Sequence, residues 1–271
     1  MKKIIALFFI GMFTCQFASA QYRMPYIPYM DSVMASYLKG INVQANAHKY
    51  APEESDSLFA LNRHLMAYLK GIASDYKTIG SHFSNAENMG LMSMISEDKL
   101  FRIYAWDTWT GNTMHYFNSL AQYRFGNNAS IKVLNDISDS SKPLDPGSYP
   151  TEINTVKTKK GQTVYLLTDC TVASAHDKAE GIKAYTIENG ELNAIPFFKT
   201  KKKITNYIDF VYDVTYDSLT SLIISIHFSP DKKSLYIPVI TRTGHLANEY
   251  WEYVFNGKKY VFRKKIKGIK V

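Results

Sequence analysis

The sequence predicts an α+β protein in which a short N-terminal helical region precedes three four-stranded antiparallel β-meanders. Apolar residues recur at helical spacing in two segments before residue 80. After about residue 90 they alternate with a period of two, and turn residues separate the runs. We therefore divide the chain of 271 residues into a leader over 1–20, a helical region over 21–89 and an antiparallel β-meander domain over 90–271.

The N-terminus has the order of a secretory signal peptide. Two lysines precede an apolar run over residues 4–13, and the small-residue triplet Ala-Ser-Ala at 18–20 stands before Gln21. We expect the mature chain to begin at Gln21 and the protein to be exported and soluble, in the periplasm or outside the cell. Cys15 offers lipoprotein acylation as the alternative, which the cleavage site that follows it disfavours. No later run is long enough for a membrane-spanning helix.

Cysteine and histidine usage argues against metal and cofactor chemistry. Removal of the leader leaves Cys170 alone, so we expect neither an intramolecular disulfide nor a cysteine-based zinc site. The 7 histidines lack metal-ligand spacing, and no dinucleotide, phosphate-loop or serine-hydrolase fingerprint occurs. We therefore predict no metal and no cofactor.

Two amphipathic helices are predicted in the helical region. The first opens at Asp31-Ser32, and the second follows an acidic start at Glu53 and Glu54, which the helix dipole favours. The apolar positions that define the two faces are Met30, Val33, Met34, Tyr37, Leu38 and Ile41 in the first, and Leu58, Leu61, Leu65, Tyr68, Leu69, Ile72 and Tyr76 in the second.

The β region contains near-matching pieces. A Ser-x-Asp-Lys turn lies between two predicted strands in 95–106 and again in 228–239. A phenylalanine stands just before a Gly/Asn turn in 122–133 and in 252–263. Each pair of pieces reads as strand, turn, strand, connection, strand, turn, strand, which is the pattern of a repeated meander.

A third, looser copy has its hairpins at 157–167 and 184–195. A four-stranded meander repeated along a chain is the unit of a β-propeller. The segment 228–237, FSPDKKSLYI, resembles the SPDG-type hairpin of bacterial β-propeller repeats, with Lys232 where those usually carry glycine. In style the whole chain is similar to exported bacterial proteins of no established activity. We expect a propeller-like stack or an open barrel, with repeats over about 90–135, 151–197 and 205–264.

The aromatic-rich stretch 101–125 is the candidate ligand site. Gly111-Asn112 is a two-residue hairpin signal, and counting back from it pairs Trp109 with Met114 and Trp106 with Phe117. Alternation then places two sets of side chains on opposite faces of the hairpin. The first set is Trp106, Thr108 and His115, and the second is Asp107, Trp109, Met114 and Tyr116.

Two interpretations of this stretch remain open. Cross-strand aromatic pairs stabilise sheets, and that alone explains most of the composition. Alternatively, Trp109 with Asp107, or Trp106 with His115, faces water and binds a sugar or a peptide. Trp106, Asp107, Trp109 and His115 are therefore the predicted ligand-binding residues, and Trp109 and Asp107 are the pair we favour.

No catalytic residue is predicted. Cys170 with His176-Asp177 could form a nucleophile and base, but a lone buried cysteine in a strand is the commoner case. The favoured function is a non-catalytic binding or scaffold protein of the bacterial cell envelope. The alternative is an envelope hydrolase that uses Asp107 and His115, or Cys170 and His176.

Charge is distributed unevenly along the chain. Residues 199–271 carry 14 Lys and Arg against 6 Asp and Glu, whereas 21–198 carry 16 against 18. We expect no nucleic-acid partner for an exported protein, whereas an anionic envelope polymer or lipid surface is available to it. The competing interpretation is that the lysines of residues 199–271 protect exposed strands and turns from aggregation.

Overall fold

The computed structural model describes residues 27–48, 56–138, 145–215 and 226–268. The predicted signal peptide, Cys15 and the acidic start at Glu53 and Glu54 lie outside the described residues. Within them, helices lie between residues 27 and 88, and strands lie between residues 92 and 267. The protein is therefore of the α+β class, with its helices at the N-terminal end and mostly antiparallel sheets after them.

Both predicted helices are present. Helix α1 spans Ile27–Ala47 and α2 spans Asp56–Ile72, and a short 3-10 turn at Tyr76–Thr78 precedes α3 at Ser84–Asn88. Helix α1 begins before the predicted start at Asp31 and ends at Ala47, beyond the last apolar position predicted for it, Ile41. Their core-facing side chains follow the predicted spacing: Met30, Met34, Leu38 and Ile41 in α1, and Leu58, Leu65, Leu69 and Ile72 in α2.

Asp31 has a different role from the helix start predicted for it. It lies inside α1, is 6% exposed, and accepts hydrogen bonds from the backbone N–H groups of Asn85 (3.0 Å) and Ala86 (2.8 Å). Phe83, at the cap position of α3, supplies no side-chain cap. The carboxylate of one helix therefore caps the N-terminus of another, where a negative charge is favourable.

The strands form three sheets. The first contains β1 (Met92–Ile95), β2 (Phe101–Asp107), β3 (Phe117–Phe125) and β4 (Asn128–Asn135), in chain order. The following strands are β5 (Tyr149–Lys157), β6 (Thr163–Val172), β7 (Asp177–Glu188), β8 (Glu191–Ala194), β9 (Phe198–Lys199), β10 (Ile204–Thr205), β11 (Tyr207–Asp213), β12 (His227–Phe228), β13 (Ser234–Ile240), β14 (Leu246–Phe255) and β15 (Tyr260–Lys267).

The second sheet has the order β11-β7-β6-β5, with β8 also paired to β7, and the third has the order β10-β9-β15-β14-β13-β12. Among the described residues, every pairing is antiparallel except that of β15 with β9. The sheets do not have the equal four-stranded composition that the repeat predicts. The chain leaves the second sheet after β8, contributes β9 and β10 to the third, and returns with β11 to the second.

The elements stack in layers. Helices α1 and α2 pack on one face of the first sheet, where Tyr104, Trp106 and Leu120 join the helical core. The other face of that sheet packs on the second sheet, and the second packs on the third. The second sheet is thus buried on both faces, whereas the helices and the third sheet form the outer layers.

The two predicted Ser-x-Asp-Lys turns have the same local geometry. The Ser96 hydroxyl donates to the Asp98 carboxylate at 2.6 Å, and the Ser229 hydroxyl donates to Asp231 at 2.7 Å. The lysine after each aspartate has a positive φ, of 56° and 55° respectively. The second of these is Lys232, at the position where SPDG-type hairpins carry glycine, so a lysine here takes the conformation that glycine favours.

Candidate functional site

The predicted register of the aromatic hairpin is wrong by one residue. Strands β2 and β3 pair Trp106 with Asn118 and Asp107 with Phe117, and they are joined by a wide loop over residues 108–116. We call this segment the 108–116 loop. Gly111-Asn112 therefore lies within a longer connection and does not form a two-residue turn.

Threonine side chains and one glycine determine the shape of the 108–116 loop. The Thr108 N–H and hydroxyl both donate to the Tyr116 carbonyl, at 2.8 and 2.7 Å, and the Thr108 and Thr110 hydroxyls lie 2.9 Å apart. A Cβ on Gly111 would lie 1.9 Å from the carbonyl oxygen of Met114. Gly111 is therefore required for close approach of two backbone segments within the loop.

Trp106 does not face water, contrary to the hypothesis that it joins His115 on the surface. It is 0% exposed in the helical core, and its indole N–H donates to Asn62 Oδ1 at 2.8 Å. The amide of Asn62 in turn donates to the Thr108 carbonyl at 3.0 Å. Trp106 thus belongs to the packing between α2 and the first sheet.

Trp109 is the exposed member of the tryptophan pair. Its side chain is 43% exposed, and its backbone has a φ of 55°, which is unusual for a bulky residue. Its backbone N–H donates to Asp107 Oδ1 at 2.8 Å. An aromatic ring is thereby presented to solvent by a backbone conformation that costs free energy, of the kind that clusters at functional sites.

His115 contacts both Asp107 and Trp109. Its Nδ1 contacts Asp107 Oδ2, and its ring lies 5.6 Å from the ring of Trp109 between centroids. Its backbone N–H donates to the Val172 carbonyl at 3.1 Å, so the loop is also attached to the end of β6 in the second sheet. The hydrogen bond to Asp107 raises the pKa of His115 above its usual value, although partial burial opposes the rise.

Asp107, Trp109 and His115 therefore form one surface group. Asp107 lies at the end of β2 and uses one carboxylate oxygen to hold the Trp109 backbone and the other to hold the His115 ring. The group offers an aromatic face and a partly exposed imidazole, which together suit a ligand with both apolar and hydroxyl-bearing surfaces. The polar atoms of Asp107 are thus oriented by contacts within the protein.

The structure does not bring Cys170 and His176 together as a reactive pair. Cys170 is 4% exposed in β6, and burial raises its thiol pKa to about 11. The His176 ring nitrogen lies 3.3 Å from the Thr215 hydroxyl, in a different set of contacts. A buried thiol with this pKa stays protonated at neutral pH and is a poor nucleophile.

Asn62 is the residue of this region that sequence analysis missed. It is fully buried on α2, where its amide also donates to the Leu58 carbonyl at 2.9 Å. Its position could have predicted this role, because Asn62 stands four residues after Leu58 on the predicted apolar face of the helix. A buried amide in such a position needs a hydrogen-bond partner.

No protein-family model matches the chain, and a search of curated proteins finds none that is similar to it. Of the helices in the described ranges, none has the length and apolar character needed to cross a membrane. No group of three or more His, Cys, Asp or Glu side chains in the same ranges could hold a metal ion.

Proposed function

We propose that this protein is an exported binding protein of the bacterial cell envelope, and that its 108–116 loop binds a glycan or an envelope peptide without cleaving it. The observation that carries the proposal is Trp109, an exposed indole held in a positive-φ conformation by Asp107. Exposed aromatic rings beside oriented polar groups bind the apolar faces of sugars and the side chains of peptides.

The surroundings of Trp109 support a rigid recognition surface. The loop is bonded to itself through Thr108 and to the second sheet through His115. A ligand that stacks on Trp109 therefore meets a ring whose backbone is already ordered. Preorganisation of this kind lowers the entropic cost of binding.

Binding is favoured over hydrolysis by the same contacts. Both carboxylate oxygens of Asp107 are engaged within the loop, one by the Trp109 backbone and one by His115. The hydroxyls of Thr108 and Thr110 bond each other. The envelope hydrolase remains the alternative, with His115 as the base and Asp107 as the group that orients it.

The fold supports a further part of the proposal, that the three meanders are copies of one propeller-like unit. The two Ser-x-Asp-Lys turns have the same hydrogen bonds and the same positive φ at lysine. Such a match in sequence and geometry is what a duplicated hairpin would retain. The strands β9, β10 and β11 would then be additions to the repeated unit.

The basic C-terminal part is proposed to hold the protein near an anionic envelope surface. Strand β15 exposes Arg263, Lys264, Lys265 and Lys267 along one short segment. Lys265 pairs with Glu249 at 2.8 Å, which neutralises part of this charge. Arg263 also lies 3.9 Å from Glu252, so Lys264 and Lys267 would contribute most of the salt-dependent attraction for anionic polymer or lipid.

The test compares wild type with Trp109→Ala on a glycan array and on immobilised envelope peptides, with Phe125→Ala as the matched control. Phe125 is also exposed, at 49%, but lies at the end of β3, outside the 108–116 loop. We expect Trp109→Ala to weaken binding by roughly fivefold or more, as loss of an aromatic anchor does, and Phe125→Ala to leave it unchanged.

Intact bound ligand, recovered and identified by mass spectrometry, would separate binding from hydrolysis. Cleaved ligand that disappears in His115→Gln would establish the hydrolase instead. The absence of any bound glycan or peptide, or equal loss in both alanine variants, would refute the proposed site.

A further inference from the structure

A cavity of about 310 Å³ lies between the first and second sheets. Its apolar wall includes Ile103, Leu134 and Leu167, and its other walls carry charged, hydroxyl and phenol groups. The volume is at the lower end of the range of roughly 300 to 1,000 Å³ found for small-molecule sites. The cavity therefore has the size and the mixed lining of a binding site.

A charge pair lies in its wall. Asp169 on β6 is 4% exposed, and its Oδ2 accepts hydrogen bonds from Lys183 Nζ and from the Ser148 hydroxyl, both at 3.0 Å. Both bonds fall on one carboxylate oxygen. No hydrogen bond from the described residues reaches Oδ1, so that oxygen can accept a donor from a ligand.

Lys183 on β7 is oriented by an aromatic ring. Its Nζ lies 4.6 Å from the ring centroid of Tyr207, and its side chain is 34% exposed. Tyr207 lies flat across Gly181, where an added Cβ would be 2.2 Å from the Tyr207 hydroxyl oxygen. Because Gly181 has no side chain, the Tyr207 ring can occupy this position, beside the ammonium group of Lys183.

The charge on Lys183 is maintained. Burial lowers the pKa of its ammonium group, but Asp169, Tyr185 and Asp145 together raise it by more, so the net shift is upward. Asp145 adds a second carboxylate at the exposed rim of the cavity. The cavity thus presents one cation and two anions around an apolar wall.

We propose that this cavity binds a free α-amino acid with an apolar side chain, in its zwitterionic form. The ligand carboxylate takes the remaining donor capacity of Lys183, and the ligand ammonium takes Asp169 Oδ1 together with Asp145. The apolar side chain packs on Ile103 and Leu134. The site is separate from Trp109 and does not depend on the proposed glycan-binding function.

A zwitterion suits this lining better than a neutral polyol does. Hydrogen bonds between charged partners are stronger than those of a hydroxyl group, and a ligand must replace the water lost from both Asp169 and Lys183. Lys183 already pairs with Asp169, so the ammonium group of the ligand supplies the positive partner for Asp145. An anionic ligand without an ammonium group would be repelled by Asp145 and would compete with Asp169 for Lys183.

The test is isothermal titration calorimetry of the full-length mature protein with L-leucine as the probe. N-acetyl-L-leucine lacks the ammonium charge, L-leucinamide lacks the carboxylate, and glucose represents a neutral polyol. We expect leucine to bind and each of the three others to bind at least about tenfold more weakly. No heat with leucine up to about 10 mM, or equal binding of glucose or of either derivative, would overturn the proposal.

Two lysine variants test whether leucine binds in this cavity. Lys183→Met should weaken leucine binding by about tenfold or more, whereas Lys178→Met should leave it unchanged. Lys178 lies on the same strand but alternates to the opposite face of the second sheet. Equal affinity in Lys183→Met and wild type, or equal loss in both variants, would exclude this cavity.

If Lys183→Met does not fold, Asp145→Asn at the exposed rim should still weaken leucine binding severalfold. Unchanged affinity in Asp145→Asn would equally count against the site.

Discussion

Trp106 and Trp109 lie three positions apart in one aromatic stretch, yet they occupy opposite environments. Trp106 is fully buried and donates its indole N–H to Asn62, whereas Trp109 is 43% exposed and its ring lies beside that of the partly exposed His115. The difference shows that aromatic composition alone does not distinguish core from surface. What distinguishes them is the partner of each ring.

The largest expected effect is that of Trp106→Ala. Removal of this ring leaves a cavity between α2 and the first sheet, so we expect the free energy of unfolding to fall by about 3 to 5 kcal/mol. Trp109→Ala, which removes an exposed ring, should cost less than about 1 kcal/mol. Urea unfolding of both variants beside wild type measures the contrast. Similar losses in the two variants would show that Trp109 is also part of the core.

A smaller effect is expected at the partner of Trp106. Asn62→Ala leaves the buried indole N–H and the Thr108 carbonyl without their hydrogen bonds, which should cost about 1 to 3 kcal/mol. Asn127→Ala, at an exposed position in the β3–β4 turn, is the control and should change stability by no more than about 0.5 kcal/mol. A neutral effect of Asn62→Ala would mean that water replaces the amide.

Local patterns allowed the two long helices and the two Ser-x-Asp-Lys turns to be predicted. The buried faces of α1 and α2 follow from apolar spacing, because the period of a helix places Met34 and Leu38 on one side whatever they pack against. The Ser-x-Asp-Lys turns follow from side chains that bond their own backbone, as Asp231 does with Lys233. Such features depend on residues close in sequence.

The 108–116 loop and the layer order could not be predicted in the same way. The Gly111-Asn112 signal gave the wrong register, because Asn62 and Val172, both distant in sequence, hold the two ends of the loop. The positive φ that a hairpin turn would need is instead found at Trp109. The cavity pair of Asp169 and Lys183 was also missed, since only pairing of β6 with β7 brings the two side chains together.

The smallest effect concerns pH and the exposed loop. The folded pKa of His115 is raised, so its stabilising contact with Asp107 is fully present below the unfolded histidine pKa of about 6.5 and is lost as pH rises through the folded value. Because the ring is partly exposed, we expect no more than about 1 kcal/mol. The stability difference between wild type and His115→Gln should therefore shrink on going from about pH 6 to about pH 9. A difference that grows over this range would contradict the assignment.

The chain returns from β9 and β10 in the third sheet to β11 in the second, and this path affects how the protein unfolds. The helices and the first sheet are built from one continuous segment, and they can open or close as a unit of their own. The strands of the second and third sheets are interleaved along the chain, because β9 and β10 lie between β8 and β11 in sequence but belong to the third sheet. We expect them to behave as a single cooperative unit in hydrogen exchange, with β6 and β14 protected to the same degree although they lie in different sheets.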